Sequence, residues 1–79
     1  MTELLILSQP GCPNCAKAKL LIEKIKPRFP GLVVKEINIL EQPAFVEKFG
    51  LLAAPGIVVN GKLEFTGRID EKKLVKLLK

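Results

Sequence analysis

Gln9-Pro10-Gly11-Cys12-Pro13-Asn14-Cys15 holds both cysteines of the chain, spaced C-x-x-C, and its flanks decide how the chain folds around it. Before it runs Leu4-Leu5-Ile6-Leu7. Four consecutive apolar residues suit a strand covered on both faces. After it, Cys15, Ala18, Ile22, Ile25 and Phe29 recur at steps of three and four, which marks one face of a helix. The cysteine pair therefore lies on a strand-to-helix turn. Cys12 is expected at or near the N-cap, with Pro13 at the first helical position, where its missing N–H costs nothing.

That placement carries chemistry. The first turn of a helix has unpartnered N–H groups and a partial positive charge, so a thiolate at Cys12 is favoured over the thiol. Helix N-termini and Cys-X-X-Cys motifs are settings in which a cysteine pKa falls from about 8.5 into the range of roughly 3.5–7.5. Cys15, one turn on, lies beside Cys12 but deeper. Residues three apart at a helix start are about 5–6 Å apart, within reach of a disulfide. An exposed attacking sulfur and a shielded resolving one are what thiol–disulfide exchange requires. A structural disulfide is the plainer alternative, but it would close too small a loop to stabilise much. Half of a zinc site is another; with no His and no third Cys, it needs a second chain or carboxylate ligands. Two unrelated core cysteines fit poorly with the Pro inside the motif and the strand and helix around it.

Seventy-nine residues, 48% of them hydrophobic, make one domain spanning 1–79 with no room for a second core. No apolar stretch approaches the roughly 20 residues of a membrane span. Met1-Thr2-Glu3 lacks a basic n-region, and the chain reads as cytoplasmic, where an exposed dithiol is kept largely reduced. The formal charge is +5. Lys17, Lys19, Lys24, Lys26 and Arg28 fall along the first helix, and Lys72, Lys73, Lys76 and Lys79 along the last. A solvated helix surface explains them, since they are interleaved with apolar positions. No Tyr or Trp is present to stack bases, so a nucleic-acid partner is not expected. The excess charge suits docking to an acidic protein.

Pro27 and Pro30-Gly31 stop the first helix. Leu32-Val33-Val34-Lys35-Glu36-Ile37-Asn38 is β-branched and partly alternating, a second strand. Strand, helix and strand make a βαβ unit, so these two strands should be parallel. Glu41-Gln42-Pro43 opens a short helix with Pro43 in its first turn, Phe45, Val46 and Phe49 on its apolar face, and Gly50 capping its end. Leu51-Leu52-Ala53-Ala54 leads to Pro55-Gly56 and a third strand, Ile57-Val58-Val59. Asn60-Gly61 is a two-residue type I′ hairpin signal that folds Lys62-Leu63-Glu64-Phe65 back antiparallel. Gly67 breaks the pattern. Asp70 is the N-cap of the last helix, with Ile69 and Leu74 spaced as a hydrophobic staple and Leu74, Leu77 and Leu78 as the apolar stripe. That helix is expected on the sheet beside the first. The order is β-α-β-α-β-β-α, an α/β class.

Over nearly its whole length the chain resembles the thioredoxin and glutaredoxin superfamily. The likeness rests on the strand–Cys12-Pro13-Asn14-Cys15–helix unit, on Ala54-Pro55 before the third strand, and on the hairpin from Ile57 to Phe65 with Gly67 behind it. The length resembles the small thioredoxin- or glutaredoxin-like proteins of prokaryotes. The resemblance implies a thioredoxin-like fold, a four-stranded mixed sheet with helices on both faces. It also implies a cis Pro55 facing the cysteines, with Ala54 offering its backbone to an extended substrate segment; Pro13 and Gly67 belong to the same substrate surface. Thioredoxins usually carry Trp where this chain has Gly11, and a buried Asp, proton acceptor for the inner thiol, where it has Ile6. Glutaredoxins often carry a glutathione-binding Lys where it has Gln9. Their Thr-Val-Pro is Ala53-Ala54-Pro55 here, and their Gly-Gly pair with a following Asp is partly echoed by Thr66-Gly67 and Asp70.

The expected function is that of a small thiol–disulfide oxidoreductase, with Cys12 attacking and Cys15 resolving. It needs no cofactor or metal, acts as a monomer, reduces protein disulfides, and draws electrons from a thiol or a flavin-dependent reductase. Two rivals use the same cysteines: glutathione-dependent glutaredoxin activity, and a metal or iron–sulfur carrier completed by a second chain or by glutathione.

Overall fold

The computed structural model describes residues 2–51 and 53–79; Met1 and the Leu52 of the approach to the third strand lie outside the described residues. Strand β1 (Thr2–Ser8) runs through the middle of the sheet. Strand β2 (Leu32–Asn38) pairs parallel with it from Thr2↔Leu32 to Ser8↔Asn38. Strand β3 (Gly56–Val59) pairs antiparallel on its other side, from Leu4↔Val59 to Leu7↔Gly56. Strand β4 (Lys62–Thr66) completes a four-stranded sheet of order β2-β1-β3-β4. The helices are α1 (Pro13–Ile25), α2 (Ala44–Phe49) and α3 (Glu71–Leu78), with a single 3-10 turn, Lys26–Arg28, behind α1.

The apolar run in β1 is continuous because both faces of the sheet are covered. Successive side chains point to opposite faces. Leu4 and Ile6 join Ile57 and Val59 under Ile22 and Ile25 of α1 and Leu74 and Leu78 of α3. Leu5 and Leu7 join Val58 and Leu51, with Phe45, Val46 and Phe49 of α2 packed against them. Each Leu or Ile buried in this way contributes about 1.5–3 kcal/mol relative to exposure. Helices α1 and α3 lie together on one face and α2 covers the other, as the sequence patterns require.

The hairpin turn forms at Asn60-Gly61, where both residues have positive φ (49° and 84°). That pair of angles marks the type I′ turn, and Asn and Gly tolerate it best. Asn60 also ties the turn to β1, since its Oδ1 accepts from the Glu3 N–H at 3.0 Å and its N–H donates to the Glu3 carbonyl at 2.9 Å. The ladder shifts between Ile57↔Phe65 and Val58↔Leu63, which leaves Glu64 as the extra residue of a bulge in β4.

Helix boundaries follow local chemistry. Lys26 keeps right-handed α angles (φ −53°, ψ −42°), but Pro27 has no N–H to donate to the Glu23 carbonyl, so α1 ends at Ile25 and tightens into the 3-10 turn. Phe29 therefore lies beyond the helix, although it still packs against the same cluster. Pro43 is the N-cap of α2 rather than a residue of its first turn, and Gly50 ends that helix in the left-handed conformation, with φ 65°. Leu77 was expected in the buried stripe of α3, but it is 42% exposed; Val75 packs against the core cluster in addition to Leu74 and Leu78.

Asp70 caps α3, its Oδ1 accepting from Lys72 N at 3.0 Å and Lys73 N at 3.3 Å. Asp70→Ala is expected to cost about 1 kcal/mol, read as a fall of roughly 4–8 °C in thermal midpoint for a domain of this size. An unchanged midpoint would mean that the cap contributes nothing.

Candidate active site

The end of β1 delivers the chain into the turn Gln9–Gly11 and straight onto α1. Cys12 is the N-cap, in extended conformation (φ −92°, ψ 110°), with Pro13 at the first helical position. The Sγ of Cys12 accepts the Cys15 N–H at 3.1 Å, so a group that the helix cannot satisfy itself points at sulfur. No acidic residue stands in the first turn to oppose negative charge there. Cys12 is partly exposed, while Cys15 is only 6% exposed, and both are free thiols in this structure.

The two sulfurs have opposite electrostatics. The Cys12 pKa lies below the ordinary cysteine value, chiefly because the Cys15 side chain hydrogen-bonds to its thiolate, with the Cys15 and Asn14 backbone N–H groups adding to the effect and partial desolvation opposing it. The Cys15 thiol is pushed up to about 11, mostly by burial, then by donating its proton toward Cys12, with the negative charge of Cys12 and Glu36 adding to the rise. Each shift has a consequence for stability. The lowered Cys12 value stabilises the folded dithiol above the ordinary cysteine pKa, and that contribution is lost as pH falls through the lowered value. The raised Cys15 value acts in the other direction: its contribution is full below the ordinary pKa and is lost as pH rises through about 11.

A reactivity prediction follows from the same pair. Cys15 at about 11 lies well above an ordinary cysteine and Cys12 lies below it, so at neutral pH Cys12 carries at least roughly a hundredfold more thiolate. Nucleophilicity falls with pKa at a slope of about 0.4–0.5 and cancels half of that. Iodoacetamide should therefore modify Cys12 at least about tenfold faster than Cys15, before the burial of Cys15 is considered. Peptide mapping after brief alkylation of the reduced protein checks this, and equal labelling would contradict it.

The residues singled out in the sequence fall on two sides of Cys12. On one side a cavity of about 530 Å³ is lined by Gln9, Gly11, Pro13, both cysteines, Lys19 and Glu36 among others. Gly11 has φ 74°, the left-handed conformation that glycine adopts without strain, and a Cβ there would meet nothing within 4 Å. On the other side the Ala54 carbonyl lies 4.0 Å from Cys12 Sγ, and the Ala54–Pro55 bond is cis. Pro55 is fully buried and its carbonyl accepts from Gly67 N–H at 2.8 Å. Pro55 and Gly67 border a smaller groove of about 160 Å³ that Asn14 also lines. Ala54 and Pro55 thus come up to the cysteines, whereas the Gly67 amide is already engaged in holding the Pro55 loop.

Lys19 and Glu36 were not singled out by the sequence. Glu36 sits on β2 directly across from Ile6, and Lys19 Nζ reaches its Oε2 at 3.9 Å. Lys19 follows Cys15 by four residues on α1, which puts both on one helix face. That spacing was legible; the β2 register that brings Glu36 to it was not. Among the described residues no cluster of three or more His, Cys, Asp or Glu side chains gathers that could hold a metal ion. No helix among them is long and apolar enough to cross a membrane.

Residues 2–79 match the family of the thioredoxin domain. The chain is 36% identical over 75 residues to a thioredoxin of Methanocaldococcus jannaschii, covering 94% of this chain and 88% of that protein. It is 29% identical over 80 residues to a probable thioredoxin of Archaeoglobus fulgidus, covering 100% of this chain and 88% of the other. In three dimensions it is similar to reduced desulfothioredoxin from Desulfovibrio vulgaris Hildenborough, with a TM-score of 0.79 and 20% identity over 96% of this chain and 77% of that one.

Proposed function

This chain belongs to the thioredoxin family, and from that premise we propose a division of labour between its two cysteines. The protein is a thiol–disulfide oxidoreductase. Cys12 is the attacking sulfur: its thiolate displaces one sulfur of a substrate disulfide, forming a Cys12–substrate mixed disulfide and releasing the first substrate thiolate. Cys15 then gives up its proton and attacks Cys12 Sγ. The internal Cys12–Cys15 bond forms, the mixed disulfide breaks, and the second substrate sulfur leaves with the electron pair. Two electrons have passed from the dithiol to the substrate, and an external thiol or a flavin-dependent reductase returns them.

The observation that carries this reading is the partly exposed Cys12 Sγ held by the Cys15 N–H at 3.1 Å, with the Cys15 side chain buried behind it. Ala54 and Pro55 would present backbone to an extended substrate segment, a strand-like contact that leaves side-chain choice to neighbouring groups. Pro13 and Asn14 tune the potential, since about 30 mV corresponds to 1.4 kcal/mol in a two-electron couple, the scale of one hydrogen bond to a charged sulfur. Protein disulfides are favoured over glutathione as substrate, because Gln9 offers no positive charge and the Gly67 amide is occupied. The unit acts as one domain over residues 1–79, as a monomer, and a reducing compartment such as the cytoplasm keeps it charged with electrons. The test is reduction of a disulfide-linked protein with dithiothreitol as donor. The protein should accelerate the reaction well beyond dithiothreitol alone; a rate equal to that background would refute the assignment.

A further inference from the structure

The groove on the Pro55 side of Cys12 has an electrostatic character that the redox chemistry does not require. Its floor is apolar, formed by Ala18, Leu21 and Ile69, and its rim carries Lys17 and Arg68. No carboxylate lines it. Both cations are exposed, and neither is in an ion pair among the described residues, where the pairs are Lys19–Glu36 and Lys24–Glu71. Two elements distant in sequence converge to make this rim. Lys17 comes from the second turn of α1, and Arg68 from the loop behind β4, where the Gly67 N–H to Pro55 carbonyl bond and the Arg68 N–H to Thr66 carbonyl bond (2.8 and 2.9 Å) fix the backbone.

We propose that Lys17 and Arg68 make the protein selective for disulfides flanked by acidic residues, pairing with carboxylates of the substrate segment that lies along Pro55. This rests on the reading above that the Pro55 side of Cys12 receives the substrate. An extended segment passing the groove places side chains over both cations, and the apolar floor accommodates the methylenes of a glutamate better than a bare charge. Exposed ion pairs are individually weak, worth up to about fivefold each, and electrostatic complementarity acts mainly on the association rate. Two together predict a preference of about tenfold at low ionic strength. Salt removes it, because the screening length falls from about 10 Å at 0.1 M to about 3 Å at 1 M.

The experiment uses peptide pairs in which a fluorophore strand and a quencher strand are joined by one disulfide. The chain has no Tyr or Trp to interfere with the signal. Two substrates differ only in carrying Glu or Lys on either side of one cysteine. The second-order rate constant with pre-reduced protein should be about tenfold higher for the Glu substrate, and the gap should close in 1 M salt. Lys17→Glu/Arg68→Glu should reverse the order. Lys17→Gln/Arg68→Gln, a milder pair, should abolish it should the reversal variant fail to fold. Arg28→Glu/Lys62→Glu makes the same change in net charge away from the groove and should keep the order. Equal rates for both substrates with the wild-type protein would overturn the proposal and leave the oxidoreductase reading standing, whereas failure to reduce either would refute that reading itself. Loss of discrimination in Arg28→Glu/Lys62→Glu would assign the effect to net charge and overturn the groove. Glutathione disulfide reacting faster than both peptides would assign the cations to a small-molecule carboxylate and likewise overturn the proposal.

Discussion

Cys12→Ser is expected to bring disulfide reduction down to the background rate of the donor thiol. The serine hydroxyl would occupy the same N-cap and accept the same N–H groups, so the fold should persist; Ser is a better cap than Cys. What disappears is the nucleophile. An alcohol is not ionised at neutral pH and does not form a disulfide, and Cys15 cannot replace it because burial raises its pKa and covers its sulfur. Loss of a nucleophile typically costs a thousandfold or far more. Turnover within tenfold of wild type, with folding confirmed by circular dichroism, would mean that another group carries the attack.

Cys15→Ser should produce a different defect, a protein that attacks once and stays attached. The mixed disulfide on Cys12 is normally broken from within. Well-oriented intramolecular groups reach effective molarities of about 10⁵–10⁸ M. The raised pKa of Cys15 leaves only about one part in 10⁴ ionised at neutral pH, yet the product, about 10 M or more, still exceeds what a millimolar external thiol supplies by at least about ten-thousandfold. The variant should therefore accumulate a covalent complex with its substrate, visible as a mass increase on non-reducing analysis and removed by excess reductant. Rapid release with no trapped species would show that Cys15 does not resolve the intermediate.

Whatever depends on residues close in sequence was legible before the structure. The type I′ turn at Asn60-Gly61, the cap at Asp70 and the N-terminal placement of Cys12 each rest on a few neighbouring residues with strong backbone preferences, and each forms as expected. The assignment of Leu4–Leu7 to a doubly covered strand needed only an unbroken apolar run. Leu77 is the exception: its spacing suits the buried stripe of α3, yet it is left 42% exposed while Leu74 and Leu78 are buried. The cis geometry at Ala54-Pro55 came from family resemblance, because no local pattern separates cis from trans. Glu36 beside Lys19, and Lys17 beside Arg68, were invisible for a common reason. Each pair joins segments far apart in the chain, one through the register of β2 against β1 and the other through the return of the β4 loop to the start of α1.

Ultraviolet titration of thiolate absorbance reads the ionisation of Cys12 most directly, and the absence of Tyr and Trp leaves the signal to the two sulfurs. The reduced protein should show two steps, an early one below the ordinary cysteine range and a late one near pH 11. As the pair titrates together, the variants assign the steps: Cys15→Ser should keep a single early step, moved upward by loss of the Cys15 thiol hydrogen bond, and Cys12→Ser should keep only a late one. A first step no earlier than that of a free cysteine in the wild-type protein would contradict a poised thiolate at the head of α1.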